Sequence, residues 1–283
     1  MGNLYDDLLR NQIMPNAFSD WTAYREELTD FILSNADRGA STLIVGAGEC
    51  SDFDLPRLKA YFRKVTLLDQ NRRAMETGLA RQGVPCIPDE LLCADLVGIA
   101  PDAYRRISDH MLALLRSELA SGTPDSNRFE RAFLRQMAAA FQDRQPDALL
   151  QRSNLADYVI CCGVHSQLLT VFPQMAMVYQ RYIPLSYGSI AGFIREQIPS
   201  TVSALNDALL RWAGKGLILG LEESRLGVDG GIDGAWQAMQ DLQGRELSLE
   251  AQTRLIWPFD PAHTKSYQMR ITAIGQPKHF GKR

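Results

Sequence analysis

The run Ser41-Thr-Leu-Ile-Val45, which breaks into the small-residue turn Gly46-Ala-Gly-Glu-Cys-Ser-Asp52, constrains this chain most. A strand apolar on both faces belongs in a sheet covered on both sides, and such sheets are built of parallel strands with helices over them. Gly46 and Gly48 have no side chain, so a ligand can come close to the backbone there. A second apolar run, Val65-Thr-Leu-Leu-Asp69, follows about twenty residues later and ends in a carboxylate, at the place where the ribose of a bound nucleoside would lie.

The same rhythm continues along the chain. The pattern predicts a helix over 55–62, a strand over 65–68 and a helix over 72–82. A third strand follows at either 86–87 or 91–93 and ends at Ala94-Asp95-Leu96. Strands alternating with helices at this spacing imply right-handed crossovers and a parallel sheet. Residues 101–150 are helical over 104–119 and 129–142, with a polar break at Ser121-Gly-Thr-Pro-Asp-Ser-Asn127. About fifty residues is small for an independent core, so this stretch reads as an insertion. The sheet resumes at 157–162. A helical section over 166–213, interrupted near Pro184 and Pro199, leads to a strand at 215–221, a glycine-rich loop at 227–234 and a helix at 235–242. Two last strands, 254–257 and 267–274, have no helix between them and pair antiparallel at one edge. At the N-terminus, Leu4, Leu8, Leu9 and Ile13 keep helical spacing, Pro15 interrupts, and Ser19 is the expected cap of a second helix. The expected fold class is α/β: a doubly wound, mostly parallel seven-stranded sheet with a C-terminal antiparallel hairpin, N-terminal helices and a helical insertion. The expected division is an N-terminal helical segment over 1–40 and an α/β domain over 41–283, with the insertion at about 99–154.

Composition narrows the classes. With 46% hydrophobic and 22% charged residues, the chain is that of an ordinary globular protein. A net charge of -3 and a pI near 5.9 give no general attraction to nucleic acid or anionic membrane. The basic tail Lys278-His-Phe-Gly-Lys-Arg283 reads as a solvated terminus. No apolar run approaches the ~18 residues needed to cross a bilayer. The first residues lack the plan of a signal peptide, and Asp6 stands where a myristoylation motif wants Ser or Thr. Five cysteines (Cys50, Cys86, Cys93, Cys161, Cys162) form no metal-type spacing, and an odd number argues against a disulfide framework. No metal site is expected, and the cytoplasm is the expected location.

The motif order resembles the class I (Rossmann-like) S-adenosylmethionine-dependent methyltransferases. Leu43-Ile-Val-Gly-Ala-Gly48 is similar to that family's first motif, whose glycine turn cradles the methionine half of the cofactor. Leu67-Leu-Asp69 is similar to the second, whose acid accepts from both ribose hydroxyls. Cys93-Ala-Asp95-Leu96 is similar to the third, which holds the adenine edge, and Asp157-Tyr-Val-Ile-Cys-Cys-Gly163 to the fourth, beside the reacting methyl group. The resemblance covers about 40–98 and 155–274. It implies S-adenosyl-L-methionine as cofactor, bound by Gly46, Ala47, Gly48, Cys50, Asp52, Asp69, Gln70, Asp95, Leu96, Cys162 and Gly163.

The chain departs from the family pattern at two positions. Ile44 stands where the family often has an acid, and Cys50 replaces its usual third glycine. Asp52 or Asp54 is the expected substitute for the missing acid, binding the cofactor's ammonium group. Independently of any resemblance, Glu49, Asp52 and Asp54 crowd the glycine turn with negative charge. That disfavours the pyrophosphate of a dinucleotide and suits a cationic sulfonium and ammonium. His165, three residues past the fourth strand, titrates near neutrality and is the candidate catalytic base, set against the more ordinary part of a structural hydrogen-bonder. Cys161 and Cys162 read as buried small hydrophobes rather than nucleophiles, and Glu222-Glu223 as a solvated loop pair.

Cys161-Cys-Gly-Val164 does not match the Asn/Asp-Pro-Pro-aromatic pattern of amino-directed methyltransferases acting on nucleic-acid bases. The expected function is direct methyl transfer to a small-molecule acceptor, with the 101–150 and 166–213 segments supplying the pocket or lid. Neither nucleic acid nor membrane is an expected partner, and a homodimer is left open. The rivals are a non-catalytic binding or scaffold protein of the same fold, and a nucleotide-dependent oxidoreductase.

Overall fold

The computed structural model describes residues 3–11, 14–145, 147–228 and 232–275. The basic tail, Ile13 and positions 229–231 of the glycine-rich loop lie outside them. Seven strands form one sheet: β1 (Ser41–Val45), β2 (Lys64–Leu68), β3 (Leu91–Leu92), β4 (Ala156–Cys162), β5 (Ala213–Arg225), β6 (Ser248–Asp260) and β7 (Lys265–Gly275). Their order is β3-β2-β1-β4-β5-β7-β6. β1 to β5 are mutually parallel, and β7 lies antiparallel between β5 and β6. This is the expected doubly wound sheet with its antiparallel hairpin, and the third strand is the later of the two candidates, only two residues long. β7, the last element, is inserted beside β5 rather than added outside β6.

The helices are α1 (Leu4–Asn11), α2 (Ala17–Asp20), α3 (Thr22–Ser34), α4 (Leu55–Tyr61), α5 (Arg72–Arg81), α6 (Pro101–Ala120), α7 (Ser126–Gln142), α8 (Val171–Tyr179), α9 (Tyr187–Trp212) and α10 (Asp233–Gln243). Successive side chains of a strand point to opposite faces, and the two faces have different covers. Ile44, Leu67, Ile160 and Ile218 pack under α3, α4 and α5. Leu43, Val45, Val159, Cys161 and Leu219 pack under the C-terminal half of α9 and α10. A third apolar cluster lies beyond the sheet, where Tyr5 and Leu8 of α1 meet Met111, Phe133, Phe172 and Tyr179 of α6, α7 and α8. The N-terminal residues are therefore divided: α1 joins the inserted helices, while α2 and α3 pack against β6.

Three local expectations are corrected. Ser19 lies inside α2, its hydroxyl bonded to the Asn16 carbonyl, and α3 starts after Trp21. α9 runs through Pro199 without a break. Its buried face spans two apolar clusters, from Ile190 to Leu209, and that packing outweighs the ~3 kcal/mol an internal proline costs. Glu222 belongs to β5 and is buried, whereas Glu223 pairs with Arg254 and Arg270, so the two are not a solvated loop pair. Among the described residues no helix is long and apolar enough to cross a membrane.

Candidate active site

The sheet's connectivity reverses between β1 and β4, and the crevice outside the carboxyl ends of strands at such a point is where open α/β sheets bind ligands. A cleft of about 240 Å³ opens there. Gly46, Ala47, Gly48, Asp52, Asp69, Gln70, Asp95, Leu96, Cys162 and Gly163 line it together. Ten of the residues expected from sequence thus converge on one space. Cys50 and His165 are not in its wall.

The turn after β1 is tightly held. The Gly46 and Ala47 amides both donate to the Leu68 carbonyl, at 2.8 and 3.1 Å. Gly46, Gly48 and Cys50 all adopt left-handed backbone, with φ of 69°, 50° and 52°. Cys50 therefore keeps the conformation a glycine would take more cheaply, at a cost of about 1–2 kcal/mol. Its side chain is buried away from the cleft, and burial pushes its thiol up. Gln82 Nε2 donates to the Cys50 and Phe53 carbonyls, and the Arg25 guanidinium donates to those of Phe18 and Ser51. The loop carrying Asp52 is thereby pinned from two sides.

Asp69 joins the first two motifs physically. Its Oδ2 accepts from the Gly48 amide at 2.9 Å and its Oδ1 from the Asn71 amide at 2.8 Å. Burial raises this carboxyl, and the amides pull it back. Asp95 accepts from the Val97 amide through Oδ1, whereas its Oδ2 is shielded and has no partner among the described residues. Burial pushes Asp95 up to about 6. Beside it, Tyr104 lines the cleft and stacks on Tyr5, ring centroids 5.0 Å apart.

Asp52 and Asp54 have different parts. Asp54 caps α4, accepting from the Arg57 amide at 3.1 Å, and is not in the cleft wall. Asp52 is in the wall, with a shielded Oδ1 that has no partner among the described residues. Burial, followed by the negative charge of Glu222, pushes Asp52 up to about 7 against the opposing pull of Arg25. Glu49 also lines the cleft, ion-paired to Arg81.

His165 is a correction to the expected base. Its backbone follows β4, but its ring is buried, with Nε2 2.9 Å from Asn206 Oδ1, and it borders a separate cavity under α9. Burial depresses it to about 4, more than Asn206 and Asp241 raise it. Since the folded value lies below the ordinary one near 6.5, the native state favours the neutral ring. That contribution, on the order of 3 kcal/mol, is complete above pH ~6.5 and is lost as pH falls toward 4. His165→Leu is accordingly expected to leave ligand binding in the cleft unchanged. It should cost about 1–3 kcal/mol in denaturant unfolding, because it orphans Asn206 Oδ1. Cys161 and Cys162 are buried, and burial raises both thiols, as expected of inert residues.

The other wall carries no motif in the sequence. Leu9, Met14, Ala17 and Trp21 reach the cleft from the N-terminal segment, and Trp257 and Phe259 from β6. Trp21, Trp257 and Phe259 offered only their aromatic character as a signal, which is equally that of a core residue, and Leu9, Met14 and Ala17 offered none. Gly163, at φ 67°, lets Trp257 close on the end of β4, since a Cβ there would lie 3.0 Å from the indole ring.

No family model matches this sequence, and neither does any curated protein. Solved structures are similar at low identity. One is the N-methyltransferase NodS from Bradyrhizobium japonicum in complex with S-adenosyl-L-homocysteine: 14% identity, TM-score 0.47, covering 98% of this chain and 100% of that one. Another is magnesium protoporphyrin IX methyltransferase from Synechocystis with bound SAH: 12% identity, TM-score 0.45, covering 92% and 86%. A third is a SAM-dependent methyltransferase from Aquifex aeolicus: 8% identity, TM-score 0.45, covering 96% and 98%. At such identities the chain's own residues decide what the cleft holds.

Proposed function

We propose that this protein is an enzyme that binds S-adenosyl-L-methionine in the cleft between β1 and β4 and transfers its methyl group to a small-molecule acceptor. The observation that carries the reading is the convergence of the Gly46–Gly48 turn, Asp69, Asp95 and Asp52 in one wall, with Asp95 Oδ2 and Asp52 Oδ1 left as shielded, unpartnered acceptors. Two lone acceptors in a partly buried wall are costly unless a ligand's donors or positive charge meet them. They suit an adenine amino group and a cationic methionine half, and the three acids Glu49, Asp52 and Asp69 suit no pyrophosphate. Bound there, the cofactor would supply an electrophilic methyl group. Gly46, Ala47 and Gly48 would carry its methionine half, Asp69 and Gln70 the ribose, Asp95 and Leu96 the adenine edge. Cys162 and Gly163 would flank the reacting centre. The left-handed backbone kept at Cys50 supports a working turn over a degenerate, scaffold-only one.

The charge on Asp52 gives the test. A cation beside it favours the ionised form, and the free carboxyl titrates near 7. Affinity for S-adenosylmethionine should therefore be lost as pH falls through that value, by about tenfold from pH 7 to 5.5. Calorimetric titration across this range measures it, and repeating it in buffers of different ionisation heat should show proton release on binding. Asp52→Asn should flatten the dependence that Asp52 contributes. No saturable heat from the intact protein would overturn the cofactor assignment itself.

A further inference from the structure

The acceptor end of the cleft has its own chemistry. Trp21, Trp257 and Phe259 line it beside Gly163 and Asp52. Trp21 stands edge-on to Trp257 (centroids 5.1 Å, planes at 75°), Trp257 edge-on to Phe259 (4.9 Å, 83°), and Trp21 faces Phe259 at 6.0 Å and 26°. Three π systems thus form the corner of a box. Behind them, Tyr24 stacks on Trp257. Glu222 lies under the same corner, with Oε1 3.9 Å from where a Gly163 Cβ would stand and a shielded Oε2 that has no partner among the described residues.

The charge around this box is unbalanced toward negative. Asp52 and Glu222 are its carboxylates. Two cations act on them from a distance: Arg25, which donates to two backbone carbonyls and lies 4.0 Å over the Phe18 ring, pulls on Asp52, and Lys265, whose Nζ sits 4.7 Å over Phe259 and 5.5 Å over Tyr267, pulls on Glu222. Neither is hydrogen-bonded to Asp52 or Glu222 among the described residues. Ser166 donates to Glu222 Oε1, and a neutral aromatic acceptor would gain from stacking but would leave Glu222 Oε2 without a partner. A cation answers both features, because ring faces and carboxylates attract it together.

We infer that the methyl acceptor is an amine that reacts as the free base and becomes positively charged on transfer, held in the corner of Trp21, Trp257 and Phe259 with Glu222 supplying negative potential. This inference rests on the proposed methyl transfer. The amine's lone pair forms the new N–C bond as the methyl C–S bond breaks, with that pair staying on sulfur. The product ammonium then loses its N–H proton to water.

The test uses choline as a cationic probe and 3,3-dimethylbutan-1-ol as its neutral isostere, each titrated calorimetrically into the full chain saturated with S-adenosylhomocysteine. The expected result is a preference of about tenfold for choline, lost in Trp21→Leu and largely kept in Trp21→Phe, which retains a π face. If Trp21→Leu does not fold, Phe259→Leu at a partly exposed position serves instead. Equal affinities, binding of neither probe, or a preference that survives removal of the rings would overturn the amine assignment. In each of those cases saturable S-adenosylhomocysteine binding leaves the cofactor reading standing, and its absence removes both.

Discussion

Gly46→Ala should strongly weaken cofactor binding at the proposed site. At φ 69° an L-residue costs about 1–2 kcal/mol in backbone strain alone. The new Cβ would also lie 2.3 Å from Val164 Cγ2, a separation no pair of carbons sustains. The Val164 backbone is held in place, because the preceding Gly163 amide is bonded to the Gly220 carbonyl at 3.0 Å. The turn must therefore move, and it carries the amides nearest the proposed methionine half. A loss of about 100-fold in S-adenosylhomocysteine affinity is expected, with about 2–4 kcal/mol lost in denaturant unfolding. Gly48→Ala is the control. Its φ is 50° with no atom within 4 Å of the new methyl, so it should show only the strain of about 1 kcal/mol. Gly46→Ala combined with Val164→Ala should recover the steric part and not the strain. Equal effects at positions 46 and 48 would refute the steric account.

Asp69→Ala should be nearly as damaging, for a different reason. The carboxylate accepts from the Gly48 and Asn71 amides at once, so it holds the glycine turn and the start of α5 in register. Hydrogen bonds to a charged group contribute about 1.5–3 kcal/mol each, and their removal leaves two amides to find water. Affinity for S-adenosylhomocysteine should fall about 100-fold, since the proposed ribose contact and the turn fail together. Asp69→Asn keeps one acceptor oxygen but presents an NH₂ group to one of the amides, and should lie between wild type and alanine. Titration calorimetry of both variants, with melting curves to separate folding from binding, decides the matter. Wild-type affinity in Asp69→Ala would remove this residue from the ribose site.

These two residues were legible because their signals are local. A glycine turn after a buried strand, and an acid closing the next strand, are written within a few positions of each other. The same holds for the sheet, whose strands show as short apolar runs at helix-length intervals. What failed was everything set by direction or by distance along the chain. His165 stands three residues past β4, yet the chain turns after Gly163 and sends its ring to Asn206 instead of the cleft. Glu222 and Glu223 look alike in sequence, but strand alternation buries the first and gives the second to Arg254 and Arg270. Pro199 reads as a helix end only while the packing of α9 is unknown. Asp52 and Asp54 were equal candidates until α4 claimed one of them as its cap.

The walls of the proposed acceptor box lie far apart in sequence, Trp21 before the first strand and Trp257 and Phe259 on the sixth. Among the described residues β7, which binds β6 to the rest of the sheet, follows every other strand in sequence. A nascent chain can thus shape its glycine turn early, from neighbours in sequence, while the place where chemistry would be chosen stays unbuilt. Until the last hairpin docks, β5 presents a bare edge open to mispairing, and closing contacts of such long range is intrinsically slow. The corner proposed for the acceptor is thus built from contacts of long sequence range, and the glycine turn from short ones.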